Sequence, residues 1–360
     1  MTERTGLAEV LRDRRQTLRP EEVGPPRGQY RRTSGLRREE VAAPVPRACH
    51  GAAATPNGRQ VGRGEGRTPC VASGRGPAFP TEDEPQLSGR SPGVLPNVAG
   101  EREGNRFMLT DHDIRAFVED GFVALRGAFP RELADRGRER LWADLGCEPD
   151  DPATWTRPVV RLGGYHDPPF REAATAPALH EAFDRLVGEG RWQRLGGLGT
   201  FPVRFPSDED PGDAGWHLDA SFAGARGEAR VNLRSRGRAL LMLFLFSDVG
   251  PDDAPTRIRV GSHRDVPPLL ADAGDGGREF MDLCGAAVPA SEGRPEALAT
   301  GAAGDVFLCH PFLVHAAQPH RGASPRFMAQ PPLLPVGELD LDAERPTPVE
   351  RPVIEALRAG

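Results

Sequence analysis

The chain contains no lysine: all 46 of its basic residues are arginine. Lysine codons are AT-rich and most arginine codons GC-rich, so the bias reads as codon composition rather than a demand of function. It still excludes one site, because a phosphate loop of the G-x-x-x-x-G-K-[ST] type needs a lysine. Cysteine is scarce too. Cys49, Cys70, Cys147, Cys284 and Cys309 are widely spaced and form no C-x-x-C. An odd, dispersed set excludes a disulfide scaffold and a cysteine-based zinc module, and fits a reducing cytoplasm. Long apolar runs are missing. The longest, Ala239 to Phe246, is eight residues, far short of the ~20 that span a bilayer. The first residues, MTERTGLAEVLRDRR, hold no apolar stretch of the kind a secretory signal carries. The expectation is a soluble cytoplasmic protein without a membrane partner. An esterase elbow, G-x-S-x-G, is absent. G-x-G occurs at Gly188–Gly190 and Gly197–Gly199, but Gln193 and Pro202 stand where a third glycine belongs.

What is present is uneven. Hydrophobic residues make up 38% of the 360, below the ~45–50% usual for globular domains. Glycine and proline together number 80. Part of the chain is therefore expected not to fold, while the rest is long enough for a sizeable core. The net charge of −6 is mild and argues against nucleic acid as the main partner. Residues 1–105 carry a net +4 and residues 106–360 a net −10.

Three segments follow. In 1–43, Leu7, Val10 and Leu11 share a helical face, and RRTSGLRREEVAA stands at 31–43. This text resembles the opening of an Xre-type helix-turn-helix regulator. It stops at Ala43, where PVPRACHGAAATPNG replaces the recognition helix. Nothing is then left to enter a major groove, so 1–43 reads as a truncated fragment without DNA-binding function. Residues 44–105 read as a disordered linker or spurious sequence. Over 42–105, 20 of 64 residues are Gly or Pro and Phe79 is the one aromatic. Such a composition cannot bury enough apolar surface to offset chain entropy.

From 106 onward the text is that of a folded domain running to 360. Thr110 with Asp113 makes a capping box, Ile114, Phe117 and Val118 share one helical face, and Gly121 ends that helix. FVAL at 122–125 reads as a strand. Pro130 opens a second helix that ends near Gly146, and a third is expected over 170–187. Strands are expected at 198–205, 229–234, 239–248, 257–260, 305–309 and 326–330. ALLMLFLF at 239–246 is apolar on both faces and reads as a central buried strand. Helices first and short strands later suggest a mainly β domain, a sandwich or barrel with flanking helices.

Of nine histidines, His50 lies in the linker, and His112, His166, His180 and His263 read as surface, turn or cap residues. His217, His310, His315 and His320 remain. His217-Leu218-Asp219 is an H-x-D triplet, and in extended chain its imidazole and carboxylate point the same way. With one further histidine from a distant strand, two imidazoles and a carboxylate would leave three metal positions open. That arrangement suits non-haem Fe(II); zinc is the competing metal but usually keeps only one open position.

Residues 107–335 resemble the phytanoyl-CoA dioxygenase family of Fe(II)- and 2-oxoglutarate-dependent oxygenases. The resemblance is carried by GWHLDASF at 215–222, DDAPTRIRVGSHRDVP at 252–267, GDVFLCHPFLVHAAQPHRG at 304–322 and SPRFMAQPPL at 324–333. It implies a double-stranded β-helix, a cupin-like jelly-roll with N-terminal helices on one side. It implies His217, Asp219 and His315 as iron ligands. It also implies Arg326, eleven residues after the distal histidine, as the guanidinium fork for oxoglutarate. His310 is the rival distal ligand; its odd offset from His315 would turn the two to opposite strand faces, but Pro311 interrupts that regularity. His320 reads as loop. Family members often carry a hydroxyl two residues after the distal histidine, where this chain has Ala317. Asp219 in place of glycine or alanine implies hydroxylation rather than halogenation. Trp216 either lines the site or belongs to the core. Arg204, Arg230 and Asn232 either face solvent or meet an acidic substrate or the C1 carboxylate of oxoglutarate.

The implied function is hydroxylation of a small organic substrate with Fe(II), 2-oxoglutarate and O2, releasing succinate and CO2, with ascorbate as an in vitro supplement. Two alternatives stay open: a transcription regulator with a ligand-sensing cupin-like domain, and a metal-binding barrel without turnover. The substrate and oligomeric state are not written in the sequence. Met108 stands two residues before the capped helix, so a chain of 108–360 is expected to fold and bind iron and oxoglutarate alone.

Overall fold

The computed structural model describes residues 108–359. The helix-turn-helix-like text at 1–43 and the Gly/Pro-rich stretch at 44–105 lie outside them. In chain order come helix α1 (Asp111–Asp120), strand β1 (Phe122–Leu125), helix α2 (Arg131–Leu145), strand β2 (Val159–Leu162), helices α3 (Pro168–Ala174) and α4 (Pro177–Leu186) and strand β3 (Phe201–Arg204). Next are β4 (Phe222–Ala223), β5 (Ala229–Val231), β6 (Leu240–Leu245), β7 (Arg257–Arg259), the short helix α5 (Pro267–Leu270), β8 (Arg278–Glu279), α6 (Phe280–Ala290) and β9 (Glu296–Leu298). Last are β10 (Val306–Cys309), β11 (His315–Ala316), β12 (Met328–Ala329), β13 (Pro332–Leu333) and α7 (Arg351–Ala359).

The first helix forms as its text predicts. Thr110 accepts the Asp113 amide and the Asp113 carboxylate receives the Thr110 amide, closing the capping box. Gly121 ends the helix at φ 85°. A side chain there would also collide with His263, since a Cβ would lie 2.4 Å from its Nδ1, so this glycine serves both a left-handed turn and a close approach. Pro130 stands one residue ahead of α2 rather than inside it. The single helix expected over 170–187 is two. Pro177 lacks the amide that would continue α3 and disfavours helical backbone at Ala176, so the chain breaks there and restarts with proline in the first turn.

The larger sheet has the order β1-β10-β6-β12, with β13 also paired to β6, all antiparallel. The smaller sheet has the order β11-β7-β9. The pair β2-β3 approaches the larger sheet through a bridge between Arg204 and Arg326. This is the mainly β jelly-roll with flanking helices.

β6 is its centre. All six residues are buried. Leu240, Met242 and Phe244 join the core beneath the helices, with Phe129, Phe170, Phe201 and Phe246. Leu241, Leu243 and Leu245 face the other way, into the barrel, with Phe307, Cys309, Met328 and Ile258 of the smaller sheet. One strand thus lies between two cores, which is why its sequence shows no alternation. At about 1.5–3 kcal/mol per fully buried large apolar side chain, its contribution is on the scale of a domain's net stability. Among the described residues no helix is long and apolar enough to cross a membrane.

Candidate active site

Strand register brings the site residues together. His315 opens β11 opposite Ile258 of β7, and Ile258 belongs to the barrel interior. Directly opposed residues share a face, so His315 faces inward. His217 is bridged to His315 by two backbone hydrogen bonds, 2.9 Å and 2.8 Å, and faces the same way. Leu218 turns to the helix-side core, which returns Asp219 to the inner face. The H-x-D triplet and the distal histidine therefore converge: one ligating atom from each of His217, Asp219 and His315 lies within 4.8 Å of the others.

The remaining ring nitrogens are oriented. His217 Nδ1 sits 2.9 Å from the Gly215 carbonyl and His315 Nδ1 3.0 Å from the Leu313 carbonyl. With each Nδ1 proton donated to a carbonyl two residues back, each Nε2 keeps its lone pair for a metal. Burial, with the charge of His217 adding to it, pushes His315 down to about 4, so it is neutral at physiological pH. Burial pushes the Asp219 carboxyl up, but Arg238 and the two imidazoles outweigh it and hold the group below its ordinary value. Two imidazoles and one carboxylate fit Fe(II) with three positions open.

Arg238 was not legible as a site residue. Its guanidinium pairs with Asp219 Oδ2 at 3.2 Å and donates to the Ala220 carbonyl. Its place in a polar turn, RSRGRA, gives no hint of this contact. Ser262 was also missed: its hydroxyl accepts the Val314 amide at 2.9 Å, one residue before His315. The Gly-Asp pair before β10 proves structural. Asp305 receives Arg126 at 2.8 Å and the Gly127 amide at 2.8 Å.

Arg326 is 1% exposed. It lies two residues before Met328 of the interior core, and period two places it inward as well. It donates to the carbonyls of Ala254 and Pro202, and its Nε has no partner. Burial, then the nearby Arg204, pushes it down to about 9, still cationic at neutral pH.

The other candidates sort differently. His310 points away from the triad: its Nε2 meets the Val349 carbonyl at 2.9 Å and its Nδ1 accepts the Phe312 amide. His320 is in a loop, as expected, but it is buried and its Nε2 is unpartnered. Trp216 does not line the inner face; it is half-buried and packs against the helix-side core, the second of its two readings. It lies between the guanidiniums of Arg257 and Arg259, 4.7 Å and 4.4 Å from its ring, on the face of β7 opposite Ile258. Arg204 and Asn232 do not face solvent, being 3% and 1% exposed. Arg230 is bound to the carbonyls of Gly276 and Gly277. An open surface pocket of about 540 Å³ lies beside Arg140, Asp144 and Tyr165 and contains none of the triad.

A jelly-roll barrel with two histidines and a carboxylate on its inner face defines a non-haem, metal-dependent oxygenase of the cupin-like class. The family model for phytanoyl-CoA dioxygenase (PhyH) matches residues 117–328, more than half of the chain, and the chain belongs to that family. No curated protein matches it significantly. Solved structures similar to it include the non-heme alpha ketoglutarate dependent carbocyclase SnoK from nogalamycin biosynthesis (17% identity over 63% of this chain and 83% of that one, TM-score 0.43). Another is HygX from Streptomyces hygroscopicus with nickel, 2-oxoglutarate and hygromycin B bound (16% identity, 62% and 86% covered, TM-score 0.40). A third is the epimerase SnoN from nogalamycin biosynthesis (17% identity, 63% and 82% covered, TM-score 0.42). Likeness at this level carries no activity across.

Proposed function

We propose that the chain hydroxylates a small organic molecule, using Fe(II) held by His217, Asp219 and His315 and 2-oxoglutarate held by Arg326. The observation that carries this reading is the convergence of the three donors within 4.8 Å on the inner face of a barrel from this family. When bound, the iron and oxoglutarate supply the oxidising power, with O2 consumed and succinate and CO2 released.

The chain's own residues do the rest. His217 and His315 present Nε2 because their Nδ1 protons are tied to backbone carbonyls. Arg238 holds one oxygen of Asp219 and leaves the other for the metal. Arg326 offers a planar fork to the far carboxylate of oxoglutarate. The apolar floor of Leu241, Leu243, Phe307 and Met328 excludes water from the inner face. We place this work in the domain at 106–360, in the cytoplasm; among the described residues Cys147, Cys284 and Cys309 are free thiols.

Oxoglutarate turnover tests the reading. With Fe(II), ascorbate and a metabolite panel, succinate should form and one substrate should gain an oxygen atom. Arg326→Lys should raise the oxoglutarate KM by about tenfold or more, because it keeps the charge but loses the fork. Metal binding without any succinate would leave a metal-binding barrel instead. An Arg326→Ala protein with unchanged oxoglutarate dependence would remove that residue from the site.

A further inference from the structure

Arg204 and Arg326 stand directly opposite each other in a hydrogen-bonded antiparallel pair, with backbone bonds of 3.1 Å and 2.8 Å. Opposed residues share a face, so both guanidiniums enter the barrel from neighbouring positions. They are 3% and 1% exposed. Two cations that deep need anions, and the described residues supply only one between them. Asp213 Oδ2 accepts Arg204 at 2.7 Å and is shared with the half-exposed Arg161. Arg326 has backbone carbonyls alone.

The remaining polar atoms point to the same shortage. Arg204 Nε, Arg326 Nε, His320 Nε2 and Asp213 Oδ1 are all buried without a partner. Arg204 has one further contact, a long 3.4 Å approach to the Gln318 carbonyl. Each guanidinium carries five donors, so both keep several unused. A carboxylate, with about four lone-pair sites, can accept from two guanidiniums at once.

We infer that Arg204 is a second arm for the terminal carboxylate of 2-oxoglutarate, closing on it beside Arg326. This rests on the reading of Arg326 given above. The C1 end of the cosubstrate is excluded for Arg204 by register, because whichever end Arg326 takes, its opposite neighbour faces the same end. The consequence is selectivity: two guanidiniums around one carboxylate favour a dicarboxylic 2-oxo acid over a monocarboxylic one of equal length.

The test is calorimetric, on the full chain loaded with Ni(II), titrated with 2-oxoglutarate and separately with 2-oxopentanoate, which lacks the terminal carboxylate. Asp213→Asn serves as the background, so that no buried carboxylate is stranded when Arg204 is replaced. Asp213→Asn alone should bind oxoglutarate at least as tightly as the unaltered chain. Adding Arg204→Gln should weaken oxoglutarate by about tenfold to a hundredfold, the range of a lost charge-assisted hydrogen bond. 2-Oxopentanoate and Ni(II) affinities should not move, and Arg204→Lys should restore part of the loss. Equal weakening of both oxo acids would overturn the assignment to the terminal carboxylate. So would Asp213→Asn alone weakening oxoglutarate as much as Arg204→Gln, because the pair, not the guanidinium, would then matter. If Arg326→Gln loses oxoglutarate while Arg204→Gln does not, this inference fails and the function stands. If the unaltered chain with Ni(II) binds no oxoglutarate, both fail.

Discussion

Two pairs of histidines lie ring against ring at nearly the same distance: 4.5 Å between centroids for His217 and His315, 4.8 Å for His263 and His310. The first pair sits beside a carboxylate with both Nε2 atoms available. In the second, Nε2 of His263 and of His310 meet the carbonyls of Val118 and Val349. His310 Nδ1 accepts an amide, and His263 Nδ1 is walled off by Gly121. Proximity of imidazoles therefore does not make a metal site. What sets the proposed one apart is the carbonyl that takes Nδ1, two residues back in the chain, together with a carboxylate on the same face. The second pair works as internal packing, tying the end of α1 to the turn before β11.

The strongest way to break this contrast is to truncate one ring from each pair. His315→Ala should abolish metal binding and lower turnover by more than about a hundredfold, beyond what losing an outer partner of a metal site costs, with little change in Tm. His310→Ala should keep the metal stoichiometry but lose about 2–4 kcal/mol of stability through a cavity and unpaired neighbours. Metal titration beside thermal unfolding reads both. Metal lost from the His310 variant, or kept by the His315 variant, would reverse the roles.

Gly121→Ala should cost about 1–3 kcal/mol by overpacking against His263, with further strain from the left-handed φ, while metal binding persists. Denaturant midpoints check it; an unchanged midpoint would mean that the His263 contact is slack.

Acid should act on both pairs, since His315 and His310 are each held well below their ordinary value. Burial pushes His310 down to about 3 from an ordinary 6.5. The unfolded chain therefore binds that proton more readily than the folded one. The ring's contribution is whole above pH 6.5 and is lost as the pH falls from 6.5 towards 3. At pH 5 the loss is about 2 kcal/mol. Tm between pH 7.5 and 4.5 should fall, and His310→Gln should fall less steeply. An identical slope in the variant would place the acid sensitivity elsewhere. The smallest expected effect is Ser262→Ala, about 1 kcal/mol for the lost hydrogen bond to Val314. Its oxoglutarate KM should stay near normal; a large rise would mean that this hydroxyl sets the His315 position rather than only supporting it.

Much of this was legible in the text and some could not have been. Thr110, Asp113 and Gly121 announce α1 because caps are local chemistry. β6 announces itself because burial on both faces erases alternation. The H-x-D pairing is local too, since period two alone puts His217 and Asp219 on one side. Arg204 offered no sign of its burial and Arg238 none of its contact with Asp219, for one reason: both depend on how segments apart in sequence are brought side by side. β2, β9 and β11 are too short to show a period. α6 holds Gly285 and Pro289 and is capped by Glu279, which accepts the Met281 and Asp282 amides, an unusual cap residue that the eye passes over.

The position of β6 between two cores has a cost during synthesis. Its sequence, uncharged and free of proline, is of the kind that self-associates when exposed. Its partners β10, β12 and β13 all come later; the nearest begins at Val306, roughly sixty residues after Leu245. At about 5–20 residues per second on the ribosome, the nascent segment waits several seconds before the first strand arrives to cover either edge. The same strand that most stabilises the finished barrel is thus its chief aggregation hazard while the chain is being made.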